Sequence, residues 1–90
     1  SWVSRGATVN FALKLCIEIR SPEDSVANII SKFGDYFANG CRLGWLILPE
    51  EESVLTLRPG STPRALRIGD NMDGEPLWPD LRLAVAALFA

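Results

Sequence analysis

From Val9 to Arg20 apolar and polar residues alternate without a break. Val9, Phe11, Leu13, Leu15, Ile17 and Ile19 fall on one side, and Asn10, Ala12, Lys14, Cys16, Glu18 and Arg20 on the other. A period of two sends successive side chains to opposite faces, so the run predicts one half-buried strand with its apolar row on a core. Lys14, Glu18 and Arg20 then share the outer face, and any chemistry the strand offers comes from that row. At Ser21 the period changes. Ser21 suits an N-cap, Pro22 the first helical position and Asp24 a capping box, which together predict a helix beginning there. Val26, Ile29, Ile30, Phe33 and Phe37 recur at helical spacing as one apolar stripe, with Glu23, Asn28, Lys32 and Asp35 off it. Asn39-Gly40 ends the helix, because glycine takes the left-handed conformation of a helix C-terminus without a Cβ clash.

The remainder of the chain reads mostly as strands. Cys41 to Pro49 is a nearly continuous apolar run of strand length, the pattern of a strand buried on both faces in the middle of a sheet. With the preceding strand and helix it makes a βαβ-like crossover. Glu50 to Ser53 is a polar turn, and Val54 to Leu57 answers as the second strand of a hairpin. Turn residues follow from Pro59 to Pro63. Arg64 to Ile68 is a short strand whose arginines suit an exposed sheet edge. Gly69 to Pro79 is the least regular segment, and Leu81 to Phe89 reads as a short strand running into an apolar terminal helix. Ser1 to Ala7 forms a lead-in in which Trp2 and Val3 are candidates for an extra strand or a clamp on a neighbour. No repeat or second domain is visible, so residues 1–90 are read as a single α+β domain.

Composition changes this picture in three ways. The chain is 48% hydrophobic with three tryptophans, yet a body of 90 residues hides only about 60–65% of its unfolded surface, which favours a homo-oligomer. A net charge of −2 gives no basic footprint, so nucleic-acid binding is not favoured for an isolated subunit. Two cysteines and no histidine leave no zinc ligand set and no Ser-His or Cys-His nucleophile pair. The same two thiols, without a signal peptide, suggest a reduced, cytoplasmic setting. No run approaches the roughly 18 apolar residues of a membrane span.

Glu18, Arg20, Ser21 and Lys32 form the candidate site. A carboxylate at a strand end with a cation two residues on is one layout of metal-dependent phosphodiesterases, in which acids hold Mg²⁺ and a cation stabilises developing charge. Spacing alone favours the plainer reading of charges alternating along a solvated strand face.

The segments IEIRSPEDS, ISKFGDYFANGCRLGWLILPEEESVLTLRPG and DGEPLWPDLRLAVAALF resemble the C-terminal half of a bacterial family of restriction-type endonucleases in the PD-(D/E)XK superfamily. The resemblance covers about Phe11 to Phe89. It implies a restriction-endonuclease-like core: strand, helix and strand, then a β-hairpin and short strand, then a short C-terminal helix. It places the family's glutamate on Glu18, its Ser-Pro on Ser21-Pro22 and its helix lysine on Lys32. The superfamily's metal-binding aspartate falls on Lys14, the proline before it on Leu13, and the aspartate of the Ile-Asp-Pro strand on Leu48. Arg20 takes the lysine place of Glu-x-Lys, and the N-terminal half of the usual family member is absent.

An ammonium in place of a carboxylate repels a divalent ion, and one glutamate remains. Glu18, Arg20 and Lys32 are thus read as vestiges of a catalytic site, with Glu18 expected to pair with Lys14, Arg20 or Lys32, and no metal or other cofactor is expected. Lys14, Ser21 and Arg42 are candidates for binding. The absent half implies uncovered sheet edge and core surface, to be covered by self-association, with Trp2, Trp45, Trp78, Val85, Leu88 and Phe89 as candidate contacts and plain core packing the favoured reading for Trp45. The reading is therefore a non-catalytic, self-associating remnant of the nuclease fold that acts as a binding or interaction protein. Two alternatives stand beside it: an Mg-dependent DNA endonuclease whose site another subunit completes, and a DNA-binding module without catalysis that uses Arg20, Lys32 and Arg42 on phosphates.

Overall fold

The alternating run is two strands rather than one. In the computed structural model, which describes residues 8–11 and 14–90, β1 (Thr8–Phe11) pairs antiparallel with β2 (Leu15–Ile19), Phe11 lying opposite Leu15. Directly opposed residues share a face of the sheet. Because Phe11 and Leu15 are an even number of residues apart, the alternation passes through the reversal undisturbed and conceals it. Trp2, Val3, Ala12 and Leu13 lie outside the described residues.

The helix also begins later than its first signal. Ser21 and Asp24 do exchange capping-box bonds: the Ser21 hydroxyl and N–H donate to Asp24 Oδ2 at 2.9 and 3.3 Å, and Asp24 N–H donates to the Ser21 carbonyl. These close a turn, after which Ser25, extended at φ −84° and ψ 137°, caps α1 (Val26–Ala38) by accepting from the Asn28 N–H. Six residues, Arg20 to Ser25, thus separate β2 from its crossover helix. Ile29 and Phe33 of the predicted stripe are buried, with Val26, Ile30 and Phe37 packed beside them. The helix stops at Asn39, and Gly40 follows at φ 103°.

β3 (Leu43–Leu48) runs parallel to β2, with Ile17 beside Trp45 and Glu18 beside Leu46. β4 (Ser53–Leu57) returns antiparallel as the expected hairpin, and β5 (Arg64–Arg67) is the outer strand of the order β1-β2-β3-β4-β5. β3 is central, as its unbroken apolar run implies. The segment read as least regular is instead half of a second sheet: β6 (Asn71–Gly74) pairs with β7 (Trp78–Ala84), which leads into α2 (Val85–Leu88). Asp73 and Gly74 end its first strand, Pro79 lies in its second, and Glu75, Pro76 and Leu77 connect the two.

Two apolar clusters hold the layers together. On one face Cys16, Leu46, Leu48 and Leu57 pack against Ile29 and Phe33 of α1. There the Phe33 ring approaches Gly44 so closely that a Cβ would stand 2.5 Å from it. On the other face Leu15, Leu43, Trp45, Val54 and Leu66 meet Met72 and Val85 of the ribbon and α2. Each such side chain, once buried, contributes about 1.5–3 kcal/mol. Trp45 is therefore a core residue, as favoured for it, and Val85, a candidate intersubunit contact, is also committed within the chain, whereas Trp78 and Leu88 remain 44% and 36% exposed. Among the described residues no helix is long and apolar enough to cross a membrane.

Candidate functional site

Glu18 is 2% exposed, not part of a solvated row. It shares strand parity with Cys16, and its register neighbour Leu46 belongs to the cluster under α1, so the outer face of β2 is roofed by the helix. A carboxyl group buried among such side chains is costly unless a donor meets it. The donor is the Tyr36 hydroxyl, 2.6 Å from Glu18 Oε2. Tyr36 is steered there by α1, which sets its ring edge-on to Phe33 at 5.5 Å and 84°.

Arg20 and Ser21 belong to a surface network beside this acid. The Arg20 N–H extends the β2–β3 ladder to the Ile47 carbonyl at 3.0 Å. Its guanidinium donates through Nε to the Asp24 carbonyl at 2.9 Å and lies 3.7 Å from Glu51 Oε1. Hydrogen bonds from the Ser21 hydroxyl, then from its N–H, hold the Asp24 carboxyl below the usual carboxylate range, with smaller help from the Lys32 and Arg20 charges. Lys32 is exposed on α1 and acts on this network. The cation in the family's lysine place thus engages Asp24 and Glu51, and the Tyr36 hydroxyl donates to Glu18.

Lys14 and Arg42 lie elsewhere. The Lys14 carbonyl accepts the N–H groups of Arg42 and Leu43 at 2.9 and 3.1 Å, which sets both residues at the start of the parallel pair. Four residues of strand separate Lys14 from Glu18, about 13 Å. Leu48, in the place of the family's second acid, is 8% exposed and packs in the α1-side cluster. Among the described residues no three of His, Cys, Asp and Glu gather as a metal-binding group.

Neither Tyr36 nor Glu51 was singled out from the pattern of residues. For Tyr36 a signal existed: it stands four residues after Lys32, on the same helix face, in a Tyr-x-x-x-Gly segment ending at Gly40. Glu51 is one of three consecutive acids in a turn, and nothing local distinguishes it from Glu50 or Glu52.

The family described as "Uma2: Putative restriction endonuclease" matches residues 4–86. The chain belongs to this family. A crystal structure of a nuclease from Anabaena variabilis ATCC 29413, described as putative and as belonging to DUF820, is similar to the Uma2 chain with a TM-score of 0.72 and 29% identity. The match covers 83% of this chain and 42% of that one, so the Uma2 chain spans less than half the length of the solved nuclease. No curated protein matches it. Family and fold agree with the restriction-endonuclease-like resemblance read from IEIRSPEDS and the segments after it.

Proposed function

We propose that this Uma2 chain is a non-catalytic member of its nuclease-related family, and that it works by binding and by association with further copies of itself. The burial of Glu18 beneath Tyr36 carries the reading. A magnesium site needs hard anionic oxygens open to water and to substrate phosphate. Glu18 offers an oxygen already engaged by a hydroxyl and closed off by α1, the position of its partner acid is Lys14, and that of the second acid is Leu48 in the core. This donor set does not suit the ion, and no hydrolytic step is derived through it. The exposed Ile68, Trp78 and Leu88 support self-association.

The test is an endonuclease assay on the purified chain, using supercoiled plasmid with Mg²⁺ or Mn²⁺, paired with calorimetry for divalent-ion binding. The expected result is no cleavage above the metal-only control and no ion binding at millimolar concentration. Cleavage that disappears in Glu18→Gln would replace the proposal with an endonuclease whose missing ligands come from another subunit. Light scattering coupled to size-exclusion chromatography checks the second half of the proposal, which a strict monomer refutes.

A further inference from the structure

A groove of about 340 Å³ opens at the end of the sheet away from Glu18, lined by Arg42, Arg58, Pro59, Ser61, Glu75 and Pro76. Two features distinguish it from an ordinary surface hollow. Arg58 is locked in place: its Nε donates to the Glu75 carbonyl at 2.9 Å and its Nη2 to Asp73 Oδ1 at 2.7 Å, and its side chain is only 27% exposed. Its Nη1 has no protein acceptor among the described residues. Arg42 is exposed, and among the described residues its guanidinium has neither an ion-pair nor a hydrogen-bond partner. Lys14 adjoins Arg42 on the neighbouring strand, about 4.8 Å away across the ladder, and adds to the positive potential.

We propose that this groove binds a small molecule carrying a phosphate group. A fixed guanidinium beside a free one presents N–H forks that match the oxygens of a phosphate. The groove's volume is at the lower end of small-ligand sites, enough for a mononucleotide or a sugar phosphate. Glu75 on its rim accepts a hydroxyl or amino donor from the rest of such a ligand, while its charge and the net −2 of the chain oppose a continuous polyanion. The site is separate from Glu18, so its occupancy does not depend on whether the chain has lost its chemistry.

Calorimetric titration of the purified chain with adenosine 5′-monophosphate, with adenosine, with inorganic phosphate and with a short duplex DNA tests the proposal. Saturable binding of the monophosphate is expected, with adenosine at least tenfold weaker. Arg42→Gln, an exposed substitution, weakens the monophosphate about tenfold or more, the loss of a charge-assisted contact, while Glu18→Gln leaves it unchanged. Binding of inorganic phosphate that Arg42→Gln also weakens supports an oxyanion site whose remaining contacts are few. The proposal falls if no phosphate probe saturates, if adenosine binds as well as its monophosphate, or if Arg42→Gln has no effect. It also falls if duplex DNA binds more tightly than the monophosphate and loses that binding in Arg42→Gln, since the groove would then belong to a nucleic-acid face.

Discussion

On the α1 face of the sheet the buried Glu18 is met by a hydroxyl, whereas on the ribbon face the Trp45 Nε1–H and the Thr56 hydroxyl are buried and meet no partner among the described residues. Trp45 and Thr56 are direct cross-strand neighbours, so the two unpaired groups sit side by side under β6, β7 and α2. What separates the two faces is whether polar atoms are provided for, and that predicts opposite outcomes for similar substitutions. On the α1 face removing a polar partner should hurt; on the ribbon face removing a polar group should cost nothing or help.

The largest effect expected on the α1 face comes from its packing. Phe33 is fully buried, touches the backbone at Gly44 and carries the ring contacts to Tyr36 and Phe37. Phe33→Ala should destabilise the chain by about 3–5 kcal/mol in urea denaturation, a large share of the stability of a domain this size. A loss under about 1 kcal/mol would mean that α1 does not seal this face, and the burial of Glu18 would lose its cause.

Next in size is Tyr36→Phe, which keeps the ring and deletes the donor to Glu18. The expected cost is about 1–3 kcal/mol, because a buried carboxyl oxygen loses its hydroxyl. If Glu18→Gln is made in the same background, the double variant should lose less than the sum of the two single losses, since each removes the contact the pair shares. Strict additivity would show that the hydroxyl and the acid are energetically independent.

The difference between the faces also explains what could be seen in the sequence. The row Cys16, Glu18 was visible as one side of a strand, and the helix stripe from Val26 to Phe37 was visible as a stripe. That the stripe lies over that row follows only from the crossover bringing β3 beside β2, a long-range pairing that local spacing does not encode. The start of α1 was misplaced because two serines, Ser21 and Ser25, each offer a cap, and the first serves a turn. The ribbon was missed for a different reason. Its Asp73, Gly74 and Pro76 carry turn chemistry, and its strand residues, partly exposed, alternate too weakly to outweigh it. Of the candidate site, Glu18, Arg20, Ser21 and Lys32 were placed in one neighbourhood by spacing and resemblance. The Ser21–Asp24 pairing was legible as a capping box, whereas the contacts of Glu18 with Tyr36 and of Arg20 with Glu51 depended on side-chain directions across elements.

Thr56→Val tests the ribbon face with the opposite sign. Valine fills the same volume without the unpaired hydroxyl, so stability should rise by up to about 1 kcal/mol. A destabilisation of more than about 1 kcal/mol would mean that the hydroxyl is satisfied after all, and the distinction between the faces would close.

The smallest effect lies at the edge of the α1 face, in the turn that Ser21 and Asp24 close. The Asp24 carboxyl titrates below its ordinary value of 3.8, chiefly because the Ser21 hydroxyl donates to it. A carboxyl lowered in the folded chain adds stability that is complete above its ordinary value and is lost as pH falls through the lowered one. The gap between the parent chain and Asp24→Asn should therefore be constant at neutral pH, narrow below 3.8 and vanish in stronger acid. Because the group is exposed, the gap will be small, and NMR titration of Asp24 is the sharper measurement. Ser21→Ala should move that titration up towards its ordinary value, the surviving Ser21 N–H bond holding part of the shift, whereas Lys32→Gln should move it less. Were Lys32→Gln to have the larger effect, the turn would be held by charge across from the helix, and Lys32 would be a partner of the site rather than a neighbour of it.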